Sequence, residues 1–329
     1  MKKFLFLTIV TYLVLISFVG CEKTEKKIKI YPYLRVGFQL NKQSAEYKTA
    51  LKFQEKVNTL SYGEIDIKIF PDGTLGDDRK MIEDVAAGKL DITYAETGRL
   101  GLYVPEAEIF GYPFAFDNFD HLKRTLESDY GKELHQKFID KGLRVLATGY
   151  NGSRQTTSNK PIYSIKDMKG LKLRVPFSDL NLKYAEYSGA EPNSMAFSEV
   201  YPALANGVID SQENPLTTIV SKKFYEVQKY CALTNHIIND NNIIISEKVY
   251  QSLSPSHQKA VTEAAIYAAN YETELVKENE ISLIEYLQSK GMIFTKPDRK
   301  SFKKAYKPMY DEYISKYGNA AVNAIIAAK

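Results

Sequence analysis

The residue types that carry most enzymatic chemistry are present in this chain, but not at the spacings such chemistry requires. The four histidines, at positions 121, 135, 236 and 257, lack metal-ligand spacing, and there is no Gly-rich phosphate loop and no Gly-x-Ser-x-Gly motif. Asp78, which opens a predicted helix, and Glu96, which follows a predicted strand, stay open as an acid/base pair. The sequence therefore predicts no cofactor, no metal site and no recognisable catalytic motif.

An arginine at the end of a strand offers different chemistry, the binding of an anion. In the run LKLRVP, residues 171–176, apolar residues alternate with Lys172 and Arg174. Pro176 ends the strand, because proline cannot donate a ladder hydrogen bond. Arg174 belongs either to a solvated outer face or to the carboxyl end of a strand in an open α/β sheet, where ligands bind.

Other polar residues follow predicted strands or begin predicted helices. They are Asp78, Glu96, Arg99, Arg154 and Asn214. Each alone is explained by a helix-dipole interaction, a surface ion pair, a solvated loop or a turn. Together with Gln155 and Asn159, which follow Arg154 in the same polar run, they supply two arginines and several amides, a set suited to a carboxylate ligand that bears hydroxyls.

Alternating strands and helices must position these side chains. Hydrophobic periodicity predicts strands at 34–38, 65–70, 90–95, 143–149, 171–175, 208–210 and 243–245, and helices at 45–60, 77–87 and 180–188. A short helix is predicted after the cap residue Ser198 and before Gly207, and residues 152–159 are expected to form a solvated crossover loop. The alternation predicts βαβ units in a largely parallel sheet.

A chain of 329 residues exceeds the roughly 250–300 residues at which single cores stop growing, so two domains are expected. A cap followed by proline, Ser254-Pro255, begins a helical pattern that extends to about Lys290. A helix of this length is predicted to contact both domains.

The N-terminus has the pattern of a secretory signal. Residues 1–3 are basic, 4–19 are apolar, and the Lys/Glu run 22–29 has too little apolar content to fold. The apolar stretch is slightly short for a transmembrane span. Gly20-Cys21 resembles a bacterial lipobox with Phe18 in place of the usual leucine. We therefore predict a signal peptide at 1–20, a lipid on Cys21 and a linker at 21–30, with the protein in the periplasm or at the cell surface.

Charge and cysteine content exclude two further classes of protein. The net charge is +4 and the basic residues are scattered among acids, which argues against nucleic acid as a partner. Cys21 and Cys231 are the only cysteines, so a lipidated Cys21 leaves no disulfide. Cys231 is predicted to be a small buried apolar residue.

Several long runs resemble one known family. LKLRVP, GAEPNSMAFSEVYPAL, GVIDSQENP and FYEVQKYCALTNH are similar to the substrate-binding proteins of TRAP transporters, which capture organic acids and deliver them to a membrane permease. YNGSRQTTSNKPI, LGDDRKMIEDVAAGKLDITYAET and PEAEIF are similar to the sialic-acid-binding branch. The resemblance implies a two-lobed α/β fold of the periplasmic-binding-protein type, a hinged clamp. We assign lobe I to 31–151 and about 240–278, and lobe II to 152–239 and about 279–329.

The resemblance also implies roles for individual residues. Arg174 forms a two-pronged salt bridge with the ligand carboxylate, a geometry that lysine cannot reproduce, and Arg154 supplies a second cation. Asn214 hydrogen-bonds the ligand, Phe197 packs on its apolar parts, and His236 is a water-network or hinge contact. Further contacts, to the glycerol and N-acetyl side of a sialic acid, come from Asp78, Glu96 and Arg99.

Two positions depart from the family pattern. Gln39 stands where asparagine is usual, and Phe177 stands where the sialate branch usually has asparagine. The resemblance predicts N-acetylneuraminate as the ligand, but these two changes alter the ligand contacts, so a modified sialate or another sugar acid stays open. We predict a monomeric receptor that delivers its ligand to TRAP permease subunits.

Two alternatives stay open at this point. One is a TRAP receptor for another acid, such as a hexuronate or a dicarboxylate. The other is a sialate-processing enzyme that uses Asp78 and Glu96. The chain contains no tryptophan, whereas the repeated Asp-box motif of sialidases does, which argues against a sialidase.

Overall fold

A computed structural model describes residues 33–329 of the chain. The predicted signal peptide, the linker and Cys21 lie outside the described residues. Within 33–329, strands and helices alternate as predicted, joined by short 3₁₀ segments. The strands are β1 (Leu34–Gly37), β2 (Ile67–Phe70), β3 (Ile92–Ala95), β4 (Leu143–Ser158), β5 (Lys172–Val175), β6 (Glu191–Ser194), β7 (Ser211–Pro215), β8 (Tyr230–Ala232), β9 (Ile238–Ser246) and β10 (Ile293–Thr295). The helices are α1 (Ala45–Leu60), α2 (Asp78–Ala86), α3 (Phe119–Glu127), α4 (Asp129–Asp140), α5 (Asp179–Ser188), α6 (Val200–Ala205), α7 (Leu216–Ser221), α8 (Glu247–Ser252), α9 (Pro255–Ser289), α10 (Arg299–Tyr317) and α11 (Ala320–Ala327).

The strands form two groups that share strand β4. The order is β2-β1-β3-β9-β4-β7-β5-β6, with β8 paired to β4 and β10 to β8. Pairing is parallel within β2-β1-β3, within β7-β5-β6 and between β8 and β10. It is antiparallel wherever β9 or β4 takes part. The predicted parallel pairing is therefore confirmed for β1, β2 and β3 and for β5, β6 and β7. It is wrong for the central strands β4 and β9, which pair antiparallel with their neighbours.

Strand β4 joins the two groups. Its first part, residues 143–153, pairs with β9, and its last part, residues 154–158, pairs with β7 and β8. We call the group around β1, β2 and β3 the first domain and the group around β5, β6 and β7 the second domain. At about 3.3 Å per residue, one continuous strand of 16 residues spans both.

The solvated crossover loop predicted at residues 152–159 is wrong for nearly all of its length. Thr156, Thr157 and Ser158 are fully buried in β4. Their polar atoms are satisfied inside the protein: the Thr157 hydroxyl, for example, donates to Gln228 Oε1 at 3.0 Å. A buried strand of hydrogen-bonded polar residues has no hydrophobic periodicity, so the pattern could not reveal it.

Two smaller predictions are also wrong. The strand predicted at 208–210 lies instead at 211–215, since Val208 is 56% exposed and the polar run SQENP is buried. Ser198 does not cap the short helix. A 3₁₀ turn at Phe197–Glu199 precedes α6, and the Glu199 carboxylate accepts a hydrogen bond from the Ala196 amide at 3.0 Å.

The predicted long helix is confirmed as α9, which runs from Pro255 to Ser289 behind Ser254 as its cap. An alanine-rich face at residues 260, 264, 265, 268 and 269 is buried. Small side chains permit the close approach of α1 and β4 in the first domain, and α9 also packs on α7 in the second domain. The helix thus contacts both domains.

The two C-terminal helices, α10 and α11, pack on different parts of the protein. Helix α10 packs on α5, whereas α11 packs on α3 and α4.

The lobe boundaries stated from the sequence stay a prediction. Cys231 is buried in β8, as predicted, and burial raises the pKa of its thiol. None of the helices in residues 33–329 is both long and apolar enough to cross a membrane.

Candidate functional site

A cleft lies between the two domains, and most of the predicted site residues line it. From the first domain come Gln39, Asp78, Glu96 and Arg99; from the second come Arg154, Arg174, Phe197 and Asn214. Gln39 follows β1, Asp78 begins α2 behind its cap Asp77, and Glu96 follows β3. These are the carboxyl ends of parallel strands, where α/β sheets bind ligands.

Arg174 is the most unusual side chain of the cleft, because it is a buried cation without a counter-charge. The residue is 4% exposed, Nη2 donates to the Met195 carbonyl at 3.0 Å, and Nε has no hydrogen-bond partner in residues 33–329. None of the ion pairs among these residues includes Arg174. Its guanidinium lies 5.5 Å from the centre of the Phe197 ring.

Burial lowers the pKa of Arg174 to about 10, since an apolar environment disfavours the charged form. Glu213 opposes this shift and Arg154 adds to it. The group still carries its charge at neutral pH. A buried charge of this kind is costly unless it meets an anion, so the side chain is suited to bind one.

Arg154 reaches the same cleft, but protein groups occupy its donors. Its guanidinium forms a two-pronged ion pair with Glu213, in which Nη2 donates to Oε1 at 2.8 Å. Nη1 donates to Glu96 Oε1 and to Asn239 Oδ1, both at 2.9 Å, and Nη2 also donates to Asn214 Oδ1 at 3.2 Å. The sequence suggested two arginines without assigned partners. Among Arg99, Arg154 and Arg174, the three arginines that line the cleft, only Arg174 forms no ion pair with a carboxylate of residues 33–329.

His236 does not line the cleft but lies behind the Arg154–Glu213 pair. It is fully buried, its Nε2 is 3.1 Å from Glu213 Oε2, and its ring stacks on Tyr184 at a centroid distance of 4.9 Å. Burial would raise the pKa of Glu213, but Arg154 and His236 together bring that pKa down to about 2. Glu213 is therefore ionised at all ordinary pH values and holds Arg154 in place.

Arg99 joins the two domains at one edge of the cleft. Its Nε donates to Asp78 Oδ2 at 2.5 Å, and Gln39 Nε2 donates to the other oxygen of Asp78 at 3.2 Å. Its Nη1 donates to the carbonyl of Phe177 in the second domain at 2.6 Å. The Phe177 side chain lies outside the central cleft, in an adjoining cavity.

Asn41 and Lys222 form a second set of contacts between the domains. Asn41 Nδ2 donates to the Ser221 carbonyl at 2.6 Å. Lys222 Nζ donates to the Gln39 carbonyl at 3.1 Å and lies 3.7 Å from Asp72 Oδ1. These polar contacts and that of Arg99 with Phe177 connect the two domains, so the structure represents a closed arrangement.

The sequence did not reveal several polar residues of the cleft. They are Glu46, Tyr94, Asn151, Asn239 and Asn241. Glu46 lies in the first turn of α1, where an acid is favoured by the helix dipole alone. Burial raises the pKa of Glu46 to about 8, partly opposed by Lys222, so this carboxyl is mostly neutral at pH 7. The only signal in the sequence was the polar run NDNN at 239–242 between apolar residues.

Comparison with known proteins gives this fold and site a family. Residues 36–316 match the bacterial extracellular solute-binding proteins, family 7. A sialic acid-binding periplasmic protein, SiaP of Vibrio cholerae, is 44% identical over 295 residues, which cover 89% of this chain and 92% of that protein. The 2,3-diketo-L-gulonate-binding periplasmic protein YiaO of Escherichia coli is 34% identical, over 83% of this chain and 84% of that protein.

Solved structures of TRAP solute-binding proteins have the same fold. A TRAP periplasmic solute-binding protein from Polaromonas, bound to D-erythronate, superposes with a TM-score of 0.86 at 34% identity, covering 90% of this chain and 99% of that one. A second, from Roseobacter denitrificans with bound L-galactonate, has a TM-score of 0.85 at 34% identity, covering 89% and 98%. The chain therefore belongs to the family 7 solute-binding proteins and is a periplasmic solute receptor of the TRAP type, as its sequence runs suggested.

The contacts of Lys222 predict a change in shape. Lys222→Met removes its hydrogen bond to Gln39 and its ion pair with Asp72, so the ligand-free protein should sample more open forms. Small-angle X-ray scattering should give a larger radius of gyration than wild type. Lys223→Met is the matched control, since Lys223 contacts only its near neighbour Glu226. Equal scattering from both variants and wild type would show that Lys222 does not hold the domains closed.

The carboxyl of Glu46 predicts a pH dependence of stability. Its pKa is about 8 in the folded protein against a reference value of 4.5, so its contribution is full below pH 4.5 and is lost as the pH rises to 8. Glu46→Gln cannot ionise. Its melting temperature relative to wild type should therefore increase by several degrees between pH 5 and pH 8 and then level off.

Glu55→Gln serves as the control for this titration. Glu55 is on the same helix but exposed, and its hydrogen bond with Lys52 lowers its pKa. Thermal melts of this variant should show no rise across the same range. A difference between Glu46→Gln and wild type that stays constant from pH 5 to 8 would mean that Glu46 is ionised in the fold.

Proposed function

We propose that this receptor binds a sialic acid, N-acetylneuraminate, in the cleft and delivers it to the membrane permease of a TRAP transporter. The observation that carries the proposal is the buried guanidinium of Arg174, which lacks a carboxylate partner in residues 33–329. The similarity to SiaP of Vibrio cholerae supports a sialic acid as the ligand.

The ligand carboxylate lies against Arg174, whose planar fork presents parallel donors to two oxygens. Charge-assisted hydrogen bonds of this kind contribute about 1.5–3 kcal/mol each. Arg154 does not bind the ligand carboxylate as a second free cation. Because Glu213 neutralises it, it fixes the positions of Asn214 and Glu96, which then hydrogen-bond the ligand.

The polar groups of the first domain bind the hydroxyl-rich end of the same molecule. Asp78 is held by Arg99 and Gln39, so its orientation is set before the ligand arrives. Phe197 offers a ring face to the apolar side of the sugar. A ligand that contacts Arg174 and Asp78 at once bridges the domains, and it favours the closed form by contacts that the open form lacks.

A second candidate is a smaller sugar acid, such as an aldonate or a hexuronate. YiaO is named for 2,3-diketo-L-gulonate, and a TRAP receptor of Roseobacter denitrificans was solved with β-D-glucuronate. Gln39 lengthens an amide that is usual in the family, and Phe177 replaces one that is usual in the sialate branch. Family membership favours a receptor over a sialate-processing enzyme, and the acids Asp78 and Glu96 are engaged by arginines.

Calorimetric titration tests both the ligand and the role of Arg174. N-acetylneuraminate should bind more tightly than glucuronate, gulonate or a C4-dicarboxylate. Arg174→Ala should weaken sialate binding more than tenfold, because truncating one side of a buried charge pair costs about 2–5 kcal/mol. Arg174→Lys should also weaken it, and Lys172→Ala, an exposed residue of the same strand, should change it less than about twofold.

Stability separates lost binding from lost folding. Removing a buried cation that has no partner should leave the melting temperature of ligand-free Arg174→Ala equal to or above that of wild type. Unchanged sialate affinity in this folded variant would overturn the role of Arg174. Binding of only a non-sialate acid by wild type would favour the second candidate.

The proposed lipid on Cys21 and the monomeric state rest on the sequence alone. A lipidated receptor would partition into the membrane fraction, and Cys21→Ala would release it. Mass spectrometry of the N-terminal peptide decides the point, since a peptide that includes residues before Cys21, or a free Cys21 thiol, excludes the lipid. Light scattering of the purified receptor checks the monomer.

A further inference from the structure

The first-domain wall of the cleft contains an acid that the proposed function does not use, Glu46. It lies in the first turn of α1, lines the same cleft as Arg174 and is 7% exposed. No hydrogen bond within residues 33–329 involves its carboxyl, and the neighbouring Asn241 amide donates instead to Glu272 Oε1 at 2.9 Å.

The oxygens of Glu46 are nevertheless not enclosed. The fully enclosed polar atoms without a partner include the Tyr94 hydroxyl and Glu272 Oε2, but neither oxygen of Glu46. These oxygens therefore keep accessible surface. Because the residue lines the cleft, a ligand in the cleft can reach them.

The groups that surround Glu46 keep its carboxyl neutral at pH 7. Burial raises its pKa to about 8, and Glu96 at the end of β3 adds to the rise, while Lys222 and Asn241 oppose it. Burial also raises the pKa of Glu272 on α9 well above its usual range, so Glu272 adds no negative charge nearby at pH 7. A neutral carboxyl has an O–H group to donate, which a carboxylate lacks.

The other acids of the site differ from Glu46, because each is paired with an arginine. The pairs are Asp78 with Arg99, Glu96 with Arg154, and Glu213 with Arg154. Glu46 forms no ion pair in residues 33–329, and Lys222, which attracts it, lies 3.7 Å from Asp72. An ionised Glu46 would therefore repel the carboxylate of an incoming acid, and the neutral form removes that repulsion.

We propose that Glu46 binds the ligand as a hydrogen-bond donor, with its protonated carboxyl donating to a neutral oxygen of the acid, and that binding requires this proton. The inference rests on the proposed function, because it takes the ligand carboxylate to lie on Arg174. The neutral oxygen is a hydroxyl or an amide carbonyl. Where Glu46 of the free receptor is ionised, binding of the acid takes up a proton.

Calorimetric titration of the wild-type receptor with N-acetylneuraminate tests the proton directly. With a pKa of about 8, the protonated fraction of Glu46 falls about tenfold between pH 7 and pH 9, so affinity should fall at least about tenfold. At pH 8.5, binding enthalpies measured in phosphate and in Tris buffer should differ by the uptake of more than about half a proton per ligand.

Glu46→Gln separates the proton from the rest of the side chain, since its amide donates but does not ionise. Burial lowers the pKa of Lys222, and any titration of Lys222 would appear equally in the variant. The ratio of wild-type affinity to Glu46→Gln affinity should therefore fall about tenfold from pH 7 to pH 9. The variant should take up less than about a tenth of a proton from Glu46 at pH 8.5.

Two further variants complete the comparison. Glu46→Ala has no donor and should bind about threefold to tenfold more weakly than Glu46→Gln at pH 7, the effect of one lost hydrogen bond. Glu55→Gln, at an exposed acid of α1 that does not line the cleft, should keep the wild-type pH profile.

Two results would overturn the role of Glu46. One is a parallel change of wild-type and Glu46→Gln affinity between pH 7 and pH 9. The other is equal proton uptake by the two proteins at pH 8.5. Failure of the proposed function looks different, because N-acetylneuraminate would then not bind at pH 7. In that case the same titrations, made with glucuronate, decide whether Glu46 donates to the bound acid.

Discussion

The structure depends on one electrostatic constraint, the placement of a largely buried positive charge that no carboxylate of residues 33–329 neutralises. Arg174 is held on β5, over the ring of Phe197, with Glu213 already committed to Arg154. The two arginines are thus separated in function although they line the same cleft. Arg154 is neutralised by Glu213 and forms part of the cleft wall. Arg174 remains a buried charge that is suited to bind an anionic ligand.

The rest of the fold joins the two domains around that charge. Strand β4 runs through both domains, paired antiparallel with β9 in the first and with β7 and β8 in the second, and α9 packs against each domain. Polar contacts from Arg99, Asn41 and Lys222 connect the domains across the cleft. These contacts do not include Arg174, so an anion bound there would add its own contacts to them.

Much of this architecture could be predicted from the sequence, and the failures have a common cause. Helix α1 was predicted to the residue, and the length of α9 followed from its cap and its periodicity. The buried polar strands were missed: 152–158 was assigned to a loop, and 211–215 was placed too early. Periodicity detects apolar burial, whereas these residues are buried because their hydrogen bonds are satisfied. Glu46 and Asn241 were missed for the same reason, since they are buried polar residues. No sequence pattern could show that Glu213 forms an ion pair with Arg154.

The most direct test of the central claim is a crystal structure of the receptor with N-acetylneuraminate. The account predicts the ligand carboxylate against the Arg174 guanidinium with two nitrogen–oxygen distances of about 2.7–2.9 Å, and the Arg154–Glu213 pair intact behind it. A complex in which the carboxylate lies elsewhere in the cleft, with Arg174 still without an anionic partner, would contradict it.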